Sequence, residues 1–593
     1  MIKKIMIISV LSLVIFTTSC KKQKAVWDYL DGNMEFTSKI IEENIDVNLY
    51  NPQSHITTQD FQQENDLSGK EVNLNDLTNV PYGVEVFTNK VKVVTGGTYI
   101  FSGNYTGNII IEDCNGSDVR IVLNGATINT LGISSDATIK FKETTGKRIL
   151  TVASGTVNKV QDSTGNVGIS ADEGVIVAKK SSLTINGSGK LIVSGVGSNS
   201  TGIKAKKELC LLNTNIEINA LNNGIKAGEK IIIKDSNINV ISGNDGIKTD
   251  IEVLSEAEAL EYAKSIQNGY MYIKNSNVDI TSKDDGLIAN SAIYVDNNAT
   301  NIINIVSNNG INNTNVEPNG NAIKVSGITY TNPSSSIDVT YDTTDSLNYH
   351  IYLNGGNYNL DSFDDAIKSC GDILINGASV NIKTLETSIN GSDAVYMENT
   401  TMNISTTLDG IKVPHISLNN SRISINATDD GIVASTKDDA INDLYIHLNN
   451  SNVFVNALGK GLESKGYILM NSGNLIVSAT SKDVPCVDTK QGLLINGGNF
   501  IAIGDYGQVE NPSSSSLNKY VNFSYTKIKN TEKNMIINIY DNDNIIYSYE
   551  VTESFFTIVM STTSFNNSKD IKIEIGDKTY DIEIKGHSIL IKK

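Results

Sequence analysis

Arginine is nearly absent. Only Arg120, Arg148 and Arg422 occur in 593 residues, and the net charge is −18. Nucleic-acid binding needs clustered Lys and Arg to neutralise phosphates, so this composition argues against it. One tryptophan, seven prolines and five scattered cysteines complete the scarcities. No cysteine pair has CxxC spacing and the five histidines form no zinc-ligand pattern, which argues against zinc chemistry. The apolar run "ELCLLN" around Cys210 reads as a site for a core thiol rather than a disulfide. After the N-terminus, no hydrophobic run is long enough to span a bilayer.

The N-terminus itself reads "MIKKIMIISVLSLVIFTTSCKK". Two lysines, a short apolar stretch and small residues before Cys20 are the pattern of a secretory signal. The cysteine in that place resembles the bacterial lipoprotein box. That resemblance implies acylation at Cys20 and a membrane anchor without a spanning helix, at the cell surface or outer membrane.

What the chain has in abundance is repetition. "STGIKAK", "NNGIKAG", "NDGIKTD" and "DDGLIAN" are followed by "DDAIKSC", "LDGIKVP" and "DDGIVAS". Ile203, Ile225 and Ile247 fall 22 residues apart, as do Ile367, Ile389 and Ile411. Leu287 follows Ile247 by 40 residues, one period plus 18. The additional residues, "SEAEALEYAKSIQNG", carry Ser255 and Glu258 in capping-box spacing and predict a short inserted helix. Inside each period, stretches such as "KIIIKDSNINVISG" alternate aliphatic and polar residues with Asn, Gly or Ser at the bends, the signature of short strands.

The expected fold is all-β: a right-handed parallel β-helix solenoid of about 22 residues per coil. It carries the short helical insertion, and hairpin patterns after residue 509 predict a small C-terminal β cap. The handedness follows from the preference of parallel crossovers. The expected organisation is a signal peptide over 1–19, a linker and N-terminal cap over 20–71, the β-helix over 72–508 and the cap over 509–593.

"VTGGTYIFSGNYTGNIIIED", "VRIVLNGATI", "ASGTVNKVQD" and "LTINGSGKLIVSG" precede the "GIKA" and "DDGI" coils, "GKGLESKG" and "LLINGGNFIAIG". That order resembles a family of bacterial secreted carbohydrate-binding proteins with a pectate-lyase-like right-handed parallel β-helix. The resemblance implies binding of plant-type polysaccharides such as cellulose or pectin, and structural calcium.

Three roles are open to the acid–glycine turns. Geometrically, Gly supplies a left-handed or tight turn, Asp or Asn satisfies the bend, Ile enters the core and Lys faces out. Alternatively, stacked turns place Asp245, Asp284, Asp285, Asp364, Asp365, Asp409, Asp429 and Asp430 on one edge, where calcium would relieve their repulsion. Adjacent lysines would serve the same end. Thirdly, Lys248, Lys368 or Lys412 could act as the base of a calcium-dependent polysaccharide lyase; the same lysines are candidate glycan contacts. Candidate stacking aromatics are Tyr352, Tyr358 and Tyr396. The leading expectation is a non-catalytic, calcium-assisted, surface-anchored polysaccharide-binding protein. The alternatives are the lyase and an adhesin for protein partners.

Overall fold

The computed structural model describes residues 56–61 and 67–591, apart from 134–135, 143–144, 166–173, 265–267, 311–318, 333–336, 342–348, 437–443, 480, 506–507, 525–534, 552–554, 568–570 and 586–587. Cys20 and most of the expected N-terminal linker lie outside the described residues.

Each repeat forms three short strands. Lys230–Lys234, Asn237–Ser242 and Ile247–Thr249 make up one repeat; Tyr270–Lys274, Asn277–Ser282 and Leu287–Ala289 make up the next. Equivalent strands pair in parallel, with Lys230 beside Tyr270, Asn237 beside Asn277 and Ile247 beside Leu287. Three ladders therefore run the length of the repeats, and the molecule is all-β with long parallel sheets. Near the N-terminal end the first two ladders share unbroken strands, Gly97–Thr106 and Val119–Asn129.

Side-chain columns hold the ladders together. In the third ladder Ile225, Ile247, Leu287, Ile323, Ile367 and Ile389 lie successively beside one another, all fully buried. Each such burial contributes about 1.5–3 kcal/mol, and the period-2 alternation selects it: in Asn215–Ala220 the even positions are buried and the odd ones exposed. The first ladder differs, being buried on both faces, which fits its apolar "KIIIK" and "YMYIK" strands. Between first and second ladders the chain bends through a left-handed residue. Asn213, Asp235, Asn275, Asn399, Asn420 and Asn450 have φ between 46° and 51°, and Gly355 and Gly377 serve the same corner. These are the residue types that tolerate that conformation.

The expected helix spans Glu256–Lys264, with the Glu258 N–H bonded to Ser255 Oγ and the Leu254 N–H bonded to Glu258 Oε2. Register across it is kept, since Ile247 pairs with Leu287. The irregular stretch after Asn297 resolves similarly: Ile323 sits in register between Leu287 and Ile367. An antiparallel hairpin of Ile328–Asn332 and Ile337–Tyr341 follows, and the helix packs against it.

The parallel stack changes character at Asn499–Gly504, whose next partner, Thr557–Thr562, is antiparallel. Hairpins Met535–Asp541/Asn544–Val551 and Ile571–Ile575/Lys578–Lys585 follow, with turns at Asn542–Asp543 and at Gly576. They share a second core around Ile537, Phe555 and Ile573. Cys114, Cys210 and Cys486 are buried free thiols, and Cys370 is half-buried.

One expectation needs correcting. The glycines of the repeated motif do not supply a left-handed turn: Gly224, Gly246, Gly286, Gly410 and Gly431 are absent from the positive-φ glycines. They are needed because neighbouring coils approach closely. A Cβ on Gly246 would lie 2.6 Å from the Gly286 carbonyl oxygen and 2.5 Å from Ile280 Cγ2. Ala322 and Ala366 hold the equivalent place in two other repeats, so each coil's own neighbour sets the requirement. Gly246→Ala is therefore expected to destabilise the stack by about 1–3 kcal/mol, the usual range for overpacking. Chemical denaturation against the parent chain measures this, and an unchanged midpoint would contradict the close-approach explanation.

Candidate functional site

The eight candidate acids form two columns at the corner preceding the third ladder. At Asp285, Asp365 and Asp409 of the inner column, one carboxylate oxygen accepts a backbone N–H from the next coil and the other accepts from a basic or amide side chain. Asp285 accepts the Asn321 N–H at 2.8 Å and Lys324 Nζ at 2.9 Å. Asp365 accepts the Thr387 N–H at 3.0 Å, Lys368 Nζ at 2.8 Å and Asn390 Nδ2 at 2.9 Å. Asp409 accepts the Asp430 N–H at 3.2 Å and Lys412 Nζ at 2.8 Å. Asp245 is paired with Lys248 at 2.9 Å and Asp430 accepts the Lys460 N–H at 2.6 Å. The acid therefore joins coils; the lysine three residues on pairs with Asp245, Asp365 and Asp409, while Asp285 takes Lys324 from the next coil.

That pairing bears on the candidate lysines. Burial works to lower the pKa of Lys248, Lys368 and Lys412, but Asp245, Asp365 and Asp409 respectively outweigh it and leave all three raised. A proton-abstracting lysine needs the opposite shift.

The outer column is Asp284, Asp364 and Asp429. Asp364 is 3.6 Å from Lys368, and Asp429 is exposed. Burial, then the charges of Asp285 and Asp245, push Asp284 up to about 6. Among the described residues, Asp245, Asp284 and Asp285 converge, with carboxylate oxygens within 4.8 Å of one another. The structure thus brings three of the eight predicted acids into one cluster and spreads the others along the column.

Two of the three candidate tyrosines are buried. Tyr358 points into the core and is fully buried, which removes it from ligand stacking. Tyr352 is 7% exposed and lies against Tyr294 at 4.8 Å between ring centres, with Tyr294 stacked on Tyr272 at 5.1 Å. Tyr396 is half-buried beside Tyr445. Ring-on-ring packing along the first ladder accounts for Tyr352, and core burial accounts for Tyr358.

A surface that motif reading passed over lies on the outward side of the second ladder. Glu217, Asn239, Asp279, Asn304, Asn359, Asn381 and Asn403 stand in one row, one per coil. Amides bond along the column, Asn359 Nδ2 to Asn304 Oδ1 at 2.8 Å and Asn381 Nδ2 to Asn359 Oδ1 at 3.0 Å. A neighbouring column does the same, Asn277 to Asn237 at 2.9 Å. Part of this face is an open trough of about 490 Å³ walled by Asn237, Asn239, Asn277, Asp279 and Asn304. The signal was the polar half of the strand alternation, repeated at the same place in successive periods.

A family model described as "Carbohydrate-binding domain-containing protein" matches residues 88–386 and 384–577. A solved structure described as "Structure of the polysaccharide lyase-like protein from C. thermocellum, Gadolinium derivative" is similar, at 22% identity and a TM-score of 0.34. The match covers 40% of this chain and 90% of that one. No curated protein matches significantly.

Asp284 sets a pH dependence with a definite sign. Its folded pKa is raised from 3.8 to about 6, so the folded state holds this proton more tightly than the unfolded chain. Its contribution therefore favours folding below that window, and it is lost as pH rises through about 6. Asp284→Asn is expected to be more stable than the parent at pH 7 and equal to it near pH 4, by denaturation in chelator. A pH-independent difference would contradict the crowded-carboxylate reading.

Proposed function

We propose that this chain, which belongs to the family of carbohydrate-binding domain-containing proteins, binds an extended polysaccharide without transforming it, along the outward face of the second ladder. The observation that carries this reading is the amide row from Asn304 to Asn403, which repeats the same donors and acceptors at strand spacing, about 4.8 Å. A polymer of hydroxylated rings is itself a periodic array of donors and acceptors, so a ligand can satisfy many coils at once. The raised lysines of the corner support binding over lyase chemistry.

The three ladders are wound as a right-handed parallel β-helix in this reading, supported by the parallel register and the right-handed habit of such crossovers. The glycan is of plant type, cellulose or pectin. Calcium is the assisting ion, and Asp245, Asp284 and Asp285 are the residues that would hold it, because hard carboxylate oxygens converge there. Bound there, the ion would relieve the crowding at Asp284 and release Lys248 and Lys324 from charge duty. Cys20 is the lipid attachment site in the same proposal, and the protein is held at the cell surface or outer membrane.

Pulldown on insoluble cellulose and on pectate gels tests the binding face. At about 1 kcal/mol per hydrogen bond, the triple change Asn239→Ala, Asn277→Ala and Asn304→Ala is expected to weaken binding at least about tenfold. Unchanged binding by a folded triple variant would sink the proposed face. For calcium, the expected result is a rise in thermal midpoint on adding the ion to chelated protein, absent in Asp284→Asn. No rise in the parent chain would remove the ion from the account.

A further inference from the structure

A second site lies on the outward side of the first ladder near its N-terminal end. Here a cavity of about 420 Å³ is walled by Lys147, Arg148, Lys180, Ser181, Lys207 and Glu208. Four cations in one cavity are unusual for a chain of charge −18, and one of them is among its three arginines. Glu208 accepts the Cys210 thiol at 3.1 Å and lies 3.7 Å from Lys230.

A carboxylate of the chain itself lies in this cavity. Asp60, in the short turn Thr58–Phe61, is 3% exposed. One oxygen accepts from Lys147 Nζ, from the Thr57 N–H at 2.7 Å and from Thr57 Oγ1 at 3.0 Å. The other accepts from Thr184 Oγ1 at 2.8 Å, and the Asp60 carbonyl accepts from Asn186 Nδ2 at 2.8 Å. Burial pushes the carboxyl up, but Lys147, Thr57 and Thr184 together hold it below the usual range. Beyond Asp60, the exposed Phe61 ring lies 5.3 Å from Lys234 Nζ.

The cavity also has donors that Asp60 leaves unused. Arg148 Nε and Ser181 Oγ are buried with no hydrogen-bond partner, on residues 2% and 5% exposed. The Arg148 terminal nitrogens are held by the carbonyls of Ser117, Lys147 and Asp113. Unsatisfied buried donors are costly, and an anion larger than one aspartate side chain would reach them.

We propose that this cavity is a subsite for a carboxylate-bearing sugar residue, which the chain's own Asp60 fills until such a ligand displaces the Thr57–Phe61 turn. The incoming carboxylate takes over Lys147 and Thr184 and adds Arg148 Nε and Ser181 Oγ. The proposal rests on the polysaccharide-binding reading only in taking the carboxylate to be a sugar's. Asp60 acts as a tethered competitor, with an effective concentration on the order of millimolar for a short tether.

Calorimetry on the full chain with trigalacturonate and with its methyl ester tests this. Asp60→Ala is expected to bind trigalacturonate at least tenfold more tightly than the parent, with no gain for the ester. Adding Lys147→Met should abolish the gain. Unchanged affinity in folded Asp60→Ala, or an equal gain for the ester, would overturn the proposal. Should Asp60→Ala fail to fold, hydrogen exchange of the parent decides: saturating trigalacturonate should deprotect Thr57–Phe61, and unchanged protection would overturn it. Asn239→Ala in the Asp60→Ala background should leave the gain intact, so failure of the amide face and failure of this cavity are read separately; loss of the gain there would also overturn it.

Discussion

Parallel register between consecutive coils is the constraint on which the other features depend. Once Ile225, Ile247 and Leu287 are stacked in one buried column, every other position of the repeat is fixed above its equivalent. The fold converts sequence period into columns. A residue type repeated every 22 positions becomes a continuous stripe, whether aliphatic, amide or acid. Insertions survive because they leave between columns: the helix Glu256–Lys264 departs after Ile247 and the chain returns in register at Tyr270.

Columns impose an electrostatic cost that the structure answers locally. Acids stacked a strand spacing apart repel. Asp285, Asp365 and Asp409 are each tied to the next coil's backbone and to a lysine, so a repulsive column becomes a set of inter-coil ties. Asp284 is where this compensation falls short, since burial and the charges of Asp285 and Asp245 outweigh those of Lys324 and Lys248. Amide columns carry no such penalty. Asn359 donates to Asn304 and Asn381 donates to Asn359, and this stretch of the column carries no charge.

The candidate sites were legible in the sequence to different degrees. The acid–glycine–lysine motif announced its own column, and the spacing of Asp245 and Lys248 anticipated their pairing. The role of its glycine was not legible, because close approach depends on the residues of the neighbouring repeat as well as its own. Tyr352 looked available for ligand stacking because strand parity alone does not say that the first ladder is buried on both faces, whereas Tyr358 takes an inward position of the second ladder. Asp60 carried no motif at all. Its partners Lys147, Thr184 and Asn186 are 87, 124 and 126 residues away, beyond the reach of any local pattern.

Period and alternation, read from the sequence by themselves, determined the all-β repeat, the buried aliphatic columns, the inserted helix and the two C-terminal hairpins. They could do so because each of these is a local pattern of 2, 3.6 or 22 residues, enforced by burial or by turn chemistry. Only the tertiary structure decided which carboxylates converge, which tyrosines are covered and which basic cavity Asp60 fills. Those outcomes depend on distances between segments brought together by stacking, and a carboxylate's partners are set by whatever lies within hydrogen-bond reach in the folded chain.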